Sequence, residues 1–267
     1  PGTQFDIPTP SGTQANDVLI ASIAFTPQTA VINPTVPADW TLIRRINQAG
    51  GGGTNSSLAV YRRLATVTEP AAHGWTFGAV PTAVAGGIQA FSGVDTTTPV
   101  DVENGQNTAS ALSHATPSVV TTVANTMLVT AHMYASSGTW TPPAGMAESY
   151  DRANLATPNA AGVSIEGPRV NQAAIGATGV KTATAVGNAD KGNTHIVALR
   201  PAPVVVAPGG FNAYDTATAP GAITGFIRTR IAGTAISLDI IALNPAKTAI
   251  LTTFTGTVRV EVLDRLL

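Results

Sequence analysis

Glycine and proline recur so regularly along this chain that helices have little room. The 267 residues include 26 glycines and 19 prolines, and few windows free of both are long enough for three helical turns. Glycine weakens a helix interior and proline breaks it, so short strands separated by turns remain. The sequence therefore predicts an all-β fold.

Two sets of strand-like segments follow one another in the same order. Residues 16–21 (Asn-Asp-Val-Leu-Ile-Ala) resemble 125–130 (Asn-Thr-Met-Leu-Val-Thr), and 37–40 resemble 143–146. An internal duplication explains this order, and chance similarity between strand-turn-strand units is the alternative. About four strands per half gives roughly eight, the number in a jelly roll. The predicted segments are 17–25, 40–46, 58–64, 75–77 and 84–91, then 126–134, 146–150, 162–166, 180–186 and 194–199.

A proline-rich stretch divides the chain. Residues 201–210 contain three prolines, which stiffen an extended segment. We therefore predict a jelly-roll-like β-sandwich over 1–200, a linker over 201–210 and a β module over 211–267.

The last module contains three runs of alternating apolar and polar residues, at 222–231, 234–243 and 254–263. Three or four strands cannot complete an immunoglobulin-like sandwich, which needs about seven, so we predict a partial module with open strand edges. Such edges pair with any available strand. The predicted assembly edge comprises Ile223, Ile227, Ile236, Leu238, Val258 and Val260.

Composition excludes several classes of function. Charged residues make up 11% of the chain and the net charge is -1, with no basic cluster to neutralise phosphates, so we predict no nucleic-acid partner. The absence of cysteine excludes disulfides, cysteine-ligated zinc, iron–sulfur clusters and a thiol nucleophile. No apolar run approaches about 18 residues, so no membrane span is predicted.

Catalytic motifs are missing from the sequence. The four histidines lack the paired spacing of a metal site, and we predict hydrogen-bonded structural roles for His132 and His195. No Gly-x-Ser-x-Gly elbow occurs. The glycines at 50–53 lack the Lys-Ser/Thr ending of a phosphate-binding loop and indicate a flexible hairpin. We predict that the chain is not an enzyme.

Two binding sites are possible. Asp95, Asp101 and Glu103 lie close together in a predicted polar loop, and their oxygens suit calcium, although such carboxylates also serve as solvated turn formers. No other cofactor is indicated. Trp40 and Trp140 are candidates for stacking on a glycan, and packing in the core or at its rim is the alternative.

Residues 17–201 resemble a repeated module of large bacterial surface and phage-tail-associated proteins. The resemblance rests on residues 17–21, 40–43, 86–95, 115–118, 140–146 and 198–201. Residues 211–264, particularly 221–225, 231–235 and 254–258, are similar to the opening of a domain in MshQ-like proteins associated with type IV pili. Neither pattern includes catalytic residues, and both imply a bacterial surface, pilus or fibre context.

These observations favour an extracellular or cell-surface structural or adhesive protein. The expected role is a subunit or stalk module of a filament, pilus or fibrillar adhesin, assembled by strand pairing with other copies or with a larger surface protein. The alternatives are a carbohydrate-binding module and a phage tail-fibre or decoration protein.

Overall fold

The computed structural model describes residues 2–48, 55–204, 206–231 and 233–261. These residues form strands and turns without a helix, so none of them belongs to a helix that could cross a membrane. The predicted all-β fold is confirmed. The predicted glycine hairpin at 50–53 lies outside the described residues. The chain divides into two compact units, Pro1–Ala202 and Pro203–Leu267.

The first half of the N-terminal unit forms two antiparallel sheets. A four-stranded sheet has the order β4-β5-β2-β7, and a three-stranded sheet has the order β1-β6-β3. The strands are β1 (Gln4–Pro8), β2 (Val18–Thr26), β3 (Ile32–Val36), β4 (Thr41–Gln48), β5 (Ser56–Leu64), β6 (Ala72–Phe77) and β7 (Ala83–Phe91).

The second half repeats this arrangement with a fifth strand in its large sheet and an additional two-stranded ribbon. A five-stranded sheet has the order β13-β14-β11-β17-β8, a three-stranded sheet has the order β12-β16-β9, and β10 pairs with β15. The strands are β8 (Val100–Ala111), β9 (Ser113–Ala115), β10 (Val120–Thr121), β11 (Thr126–Tyr134), β12 (Thr139–Thr141), β13 (Ala147–Ala153), β14 (Ser164–Gln172), β15 (Gly176–Ala177), β16 (Thr182–Val186) and β17 (Asp190–Leu199).

The common strand order supports the internal duplication. It makes β2 equivalent to β11, β4 to β13, β5 to β14, β6 to β16 and β7 to β17, as the sequence comparison predicts. Local geometry agrees, because Asn16 and Asn125 both have positive φ (72° and 58°) just before equivalent strands. Their N–H groups donate to the equivalent carbonyls of Ala65 and Ala173 (2.9 and 3.1 Å).

The four- and five-stranded sheets face each other and form a β-sandwich. Its core includes Val18, Ile20 and Leu58 from one sheet and Val129 and Ile165 from the other. The interface has an approximate two-fold relation, because β7 packs against β13 and β14 while β17 packs against β4 and β5. Each half of the N-terminal unit forms one complete sheet of the sandwich.

The small sheets cover the outer faces of the sandwich. The β1-β6-β3 sheet encloses a second core that contains Trp40 and Trp75, and the β12-β16-β9 sheet encloses a third that contains Tyr134 and Trp140. Strand β2 is therefore buried at every position. A strand covered on both faces has a continuous apolar sequence rather than an alternating one, which explains why this segment is easy to recognise.

The C-terminal unit contains shorter strands than its sequence predicts. Its strands are β18 (Gly210–Tyr214), β19 (Thr216–Ala217), β20 (Gly225–Phe226) and β21 (Asp239–Leu243), and they pair as β18 with β21 and β19 with β20.

Of the predicted strand 222–231, only β20 (Gly225–Phe226) forms, and the rest of that prediction is wrong. Of the predicted strand 234–243, only β21 (Asp239–Leu243) forms. The described part of 254–263, residues 254–261, has no strand. Alternation creates a strand only where a ladder partner and a covering layer exist, and here apolar residues such as Ile231 (83%) remain exposed.

Candidate functional site

Two of the three predicted calcium ligands have their own partners. Asp95 accepts hydrogen bonds from the N–H and the hydroxyl of Thr98 (both 3.0 Å), and the backbone N–H groups lower its pKa. Asp101 accepts from the Thr122 N–H (2.7 Å) and from Arg200 Nη2 (2.8 Å). Burial opposes ionisation of Asp101, but these donors outweigh it and lower the pKa.

The third carboxylate belongs to a different cluster. Glu103 on β8 accepts from Nε and Nη2 of Arg44 on β4 (2.7 and 2.8 Å) and is 2.9 Å from Nε2 of His195 on β17. Burial opposes ionisation, but the histidine and the guanidinium lower the pKa of Glu103 to about 2. This network joins the two facing sheets.

The predicted calcium ligands therefore do not converge on one point. Asp95 caps a turn, Asp101 pairs with Arg200, and Glu103 pairs with Arg44. Among the described residues, no group of three histidine or carboxylate side chains is arranged to hold a metal ion.

The predicted glycan-stacking tryptophans are buried. Trp40 is 5% exposed and Trp140 is 6% exposed. The Trp40 ring lies 5.3 Å from Trp75, and Trp140 lies 5.1 Å from Tyr134 and donates from Nε1 to the Ser164 hydroxyl (3.0 Å). The glycan prediction is wrong for both, because the small outer sheets cover their rings. The alternative, packing in the core, is confirmed.

The predicted structural histidines are buried and hydrogen-bonded. Nδ1 of His132 is 3.0 Å from the His114 carbonyl, and Nε2 is 3.0 Å from the Thr130 hydroxyl. Burial lowers the pKa of His132 to about 3. Burial also lowers the pKa of His195, although Glu103 opposes the shift. Both histidines have the structural roles predicted from the sequence.

One buried acid escapes sequence reasoning. Glu166 on β14 is fully buried, and neither carboxylate oxygen has a hydrogen-bond partner in the described part of the chain. Burial, reinforced by the charges of Glu148 and Asp151, raises its pKa to about 8. The internal duplication could have indicated that Glu166 is buried. The strand registers place it at the position that the apolar residue Ala59 occupies in the first half.

A raised carboxyl pKa often marks an active site, but this carboxyl is enclosed. Glu166 has no exposed surface and no substrate can reach it without opening the sheets. Its protonation therefore affects stability rather than chemistry on a bound ligand.

The predicted assembly-edge residues all lie outside the strands of the C-terminal unit. Ile227 (56%), Ile236 (47%) and Val260 (51%) are exposed, whereas the others are half-buried. Among the described residues of this unit, six further large apolar side chains are also exposed, namely Val204, Val206, Phe211, Phe226, Ile231 and Ile240.

The strands of this unit form two separate ribbons. Within the described residues, β18 pairs only with β21 and β19 pairs only with β20. Beyond these pairs, the described residues add one bridge, between Leu243 of β21 and Ile250. Most of the outer side of each ribbon therefore has no strand partner, which leaves backbone groups available for pairing.

No family model, curated protein or solved structure matches this chain. The resemblances to a bacterial surface module and to an MshQ-like domain therefore stay predictions.

Proposed function

We propose that the chain is a non-enzymatic extracellular structural or adhesive protein of the bacterial surface. In this role it is a subunit or stalk module of a filament, pilus or fibrillar adhesin, and it assembles by β-strand pairing with other copies or with a larger surface protein. The observation that supports this most is the C-terminal unit, where exposed apolar side chains accompany strand ribbons with unpaired sides.

Energetics favour covering these side chains. Fully burying a side chain such as Ile236 or Phe226 contributes roughly 1.5–3 kcal/mol, and both are about half exposed. An isolated two-stranded ribbon is marginally stable in water. A partner strand would supply both ladder hydrogen bonds and apolar contacts.

The chemistry of the N-terminal unit supports a non-catalytic role. Its groups with the largest pKa shifts are Glu103, held in an ion pair, and five side chains that are all buried. These five are Tyr61, His114, His132, Tyr150 and Glu166. Catalytic groups with shifted pKa values need contact with a substrate. The low charge content, 11% of the chain, also suits assembly because few charges would lose their water at an interface.

Sedimentation velocity and electron microscopy over a range of concentrations test this proposal. We expect the full chain to associate into ordered polymers, and Ile236→Lys and Ile240→Lys to weaken association by about tenfold or more, since each places a charge on the apolar surface. Ile175→Lys is the matched control, because Ile175 is 61% exposed on the N-terminal unit.

The wild-type chain and the control should associate equally. Monomers at every concentration, or an equal loss in the Ile175→Lys chain, would contradict the proposal.

A further inference from the structure

An unfilled strand position lies beside β7. Strand β17 pairs with β11 on one side and with β8 on the other. Its equivalent, β7, pairs with β2 and is the edge of its sheet. Within the described residues, the position of the fifth strand is therefore filled in one half of the duplication and open in the other.

The strand registers define this position residue by residue. Phe91 lies opposite Val18, and Leu199 lies opposite the equivalent Met127. The same alignment makes Gly87 equivalent to His195 and Ala90 equivalent to Ala198. Since Ala198 lies opposite Val102 of β8, an added strand would present its Val102-like residue to Ala90.

A groove runs along the open side of β7. It consists of a cavity of about 920 Å³ and an adjoining cavity of about 400 Å³, which together are lined by β7 residues from Val84 to Ala90. One wall is β1 with the residues that follow it, and the other is β13. The nine residues of β7 span about 30 Å, enough to pair with about nine of the twelve residues of a strand like β8.

The same walls hold β8 in the second half. Strand β9, the equivalent of β1, accepts a hydrogen bond from Gln106 Nε2 at the Ala115 carbonyl (2.7 Å). Strand β4, the equivalent of β13, accepts one from Asn107 Nδ2 at the Asn47 carbonyl (3.0 Å). Strand β8 is therefore held in two ways. It pairs along β17, and its polar side chains donate hydrogen bonds to the walls on both sides.

The centre of the filled position is occupied by a glycine that packs closely against the wall. A Cβ added to Gly105 of β8 would lie 2.7 Å from Ile46 Cδ1. In the open groove, Gly87 is the residue that would lie opposite this glycine, and a Cβ on Gly87 would itself lie 2.4 Å from the Tyr150 ring. The registers place Tyr150 at the position of Arg44, and Arg152 at that of Ile46.

We propose that the groove beside β7 binds an extended polypeptide strand with the chemistry of β8. The strand runs antiparallel to β7, has glycine at its centre and carries small or polar side chains that reach the β1 and β13 walls. This acceptor lies wholly within the N-terminal unit, so the inference goes beyond the assembly surface proposed for the C-terminal unit.

Binding of a fluorescent peptide with the sequence Val100–Ala111 to the full chain tests the proposal. We expect saturable binding, seen by fluorescence anisotropy, that weakens by about tenfold or more in Ala153→Trp, because Ala153 lines the groove. Ala147→Trp is the matched control, since Ala147 is an exposed residue of the same strand and should leave binding unchanged. No binding, or equal loss in both variants, would overturn the proposal.

Disulfide trapping tests the register. The chain has no cysteine, so Ala90→Cys introduces a single thiol. With oxidised glutathione present, a peptide carrying Val102→Cys should cross-link to it at least about tenfold faster than one carrying Thr108→Cys, because only directly opposed residues reach disulfide geometry. Equal rates would overturn the proposed strand position.

Two further comparisons identify the occupant and separate the proposals. A peptide of residues 252–261 that binds the groove more tightly than the β8 peptide would overturn the assignment of a β8-like strand. Peptide binding should persist in the Ile236→Lys chain, where self-association is lost. Loss of peptide binding in that chain would place the binding site on the C-terminal unit and overturn the inference.

Discussion

Replacing the buried acid Glu166 by glutamine should change how stability depends on pH. Glu166 has a folded-state pKa of about 8 against a usual value of 4.5. Below pH 4.5 the carboxyl is protonated in both the folded and the unfolded chain, so it does not make stability depend on pH. As pH rises from 4.5 to 8, the unfolded chain loses this proton while the folded chain keeps it, so folding becomes progressively less favourable.

The size of the effect follows from the pKa difference. Each pH unit in this interval costs about 1.4 kcal/mol, so the wild-type chain loses about 5 kcal/mol between pH 4.5 and pH 8, as an order of magnitude. Full burial of Glu166 means that solvent screening does not reduce this value. In Glu166→Gln the side chain stays neutral and nearly isosteric, so this loss should disappear.

Urea unfolding at several pH values from 5 to 8, followed by tryptophan fluorescence, measures the difference. Trp140 lies in the core beneath the β12-β16-β9 sheet and reports on the N-terminal unit. Asp6→Asn is the control for the loss of a carboxyl charge, because Asp6 is an exposed carboxyl of that unit, and this variant should keep the fall in stability that Glu166 causes. Parallel profiles for wild type and Glu166→Gln would refute the reasoning.

Two other substitutions should alter the stability of the sandwich. Glu103→Gln should cost about 2 kcal/mol at pH 7, less than the full pKa change implies because Arg44 is 38% exposed. Since the folded-state pKa of Glu103 is about 2, this difference should vanish as pH falls from 4.5 to 2, and urea unfolding that shows it undiminished at pH 2 would refute the ion-pair account. Trp140→Ala should cost about 3–5 kcal/mol in urea unfolding, whereas a cost below about 1 kcal/mol would show that the ring is not a core element.

The sequence by itself determined the class of fold and the order of the main strands. Continuous apolar segments such as β2 and β11 mark strands covered on both faces, and regular glycine and proline leave no space for helices. These signals are local, because each is read from neighbouring residues. The duplication was visible for the same reason, since equivalent strands carry similar local sequence.

Only the tertiary structure decided which side chains meet. Glu103 contacts Arg44, 59 residues away, and His195, 92 residues away, so a local reading placed it wrongly with Asp95 and Asp101. Burial of the tryptophans depends on sheets that cover them from elsewhere in the chain.

The same limit applies to strand pairing. The alternating runs of the C-terminal unit predicted long strands, yet only short ones form, and β7 and β17 have similar positions but different neighbours. A strand is stabilised by a partner and by a covering layer, and both come from distant residues. Sequence periodicity specifies which face a strand would bury, and only the assembled sheets determine whether anything lies against it.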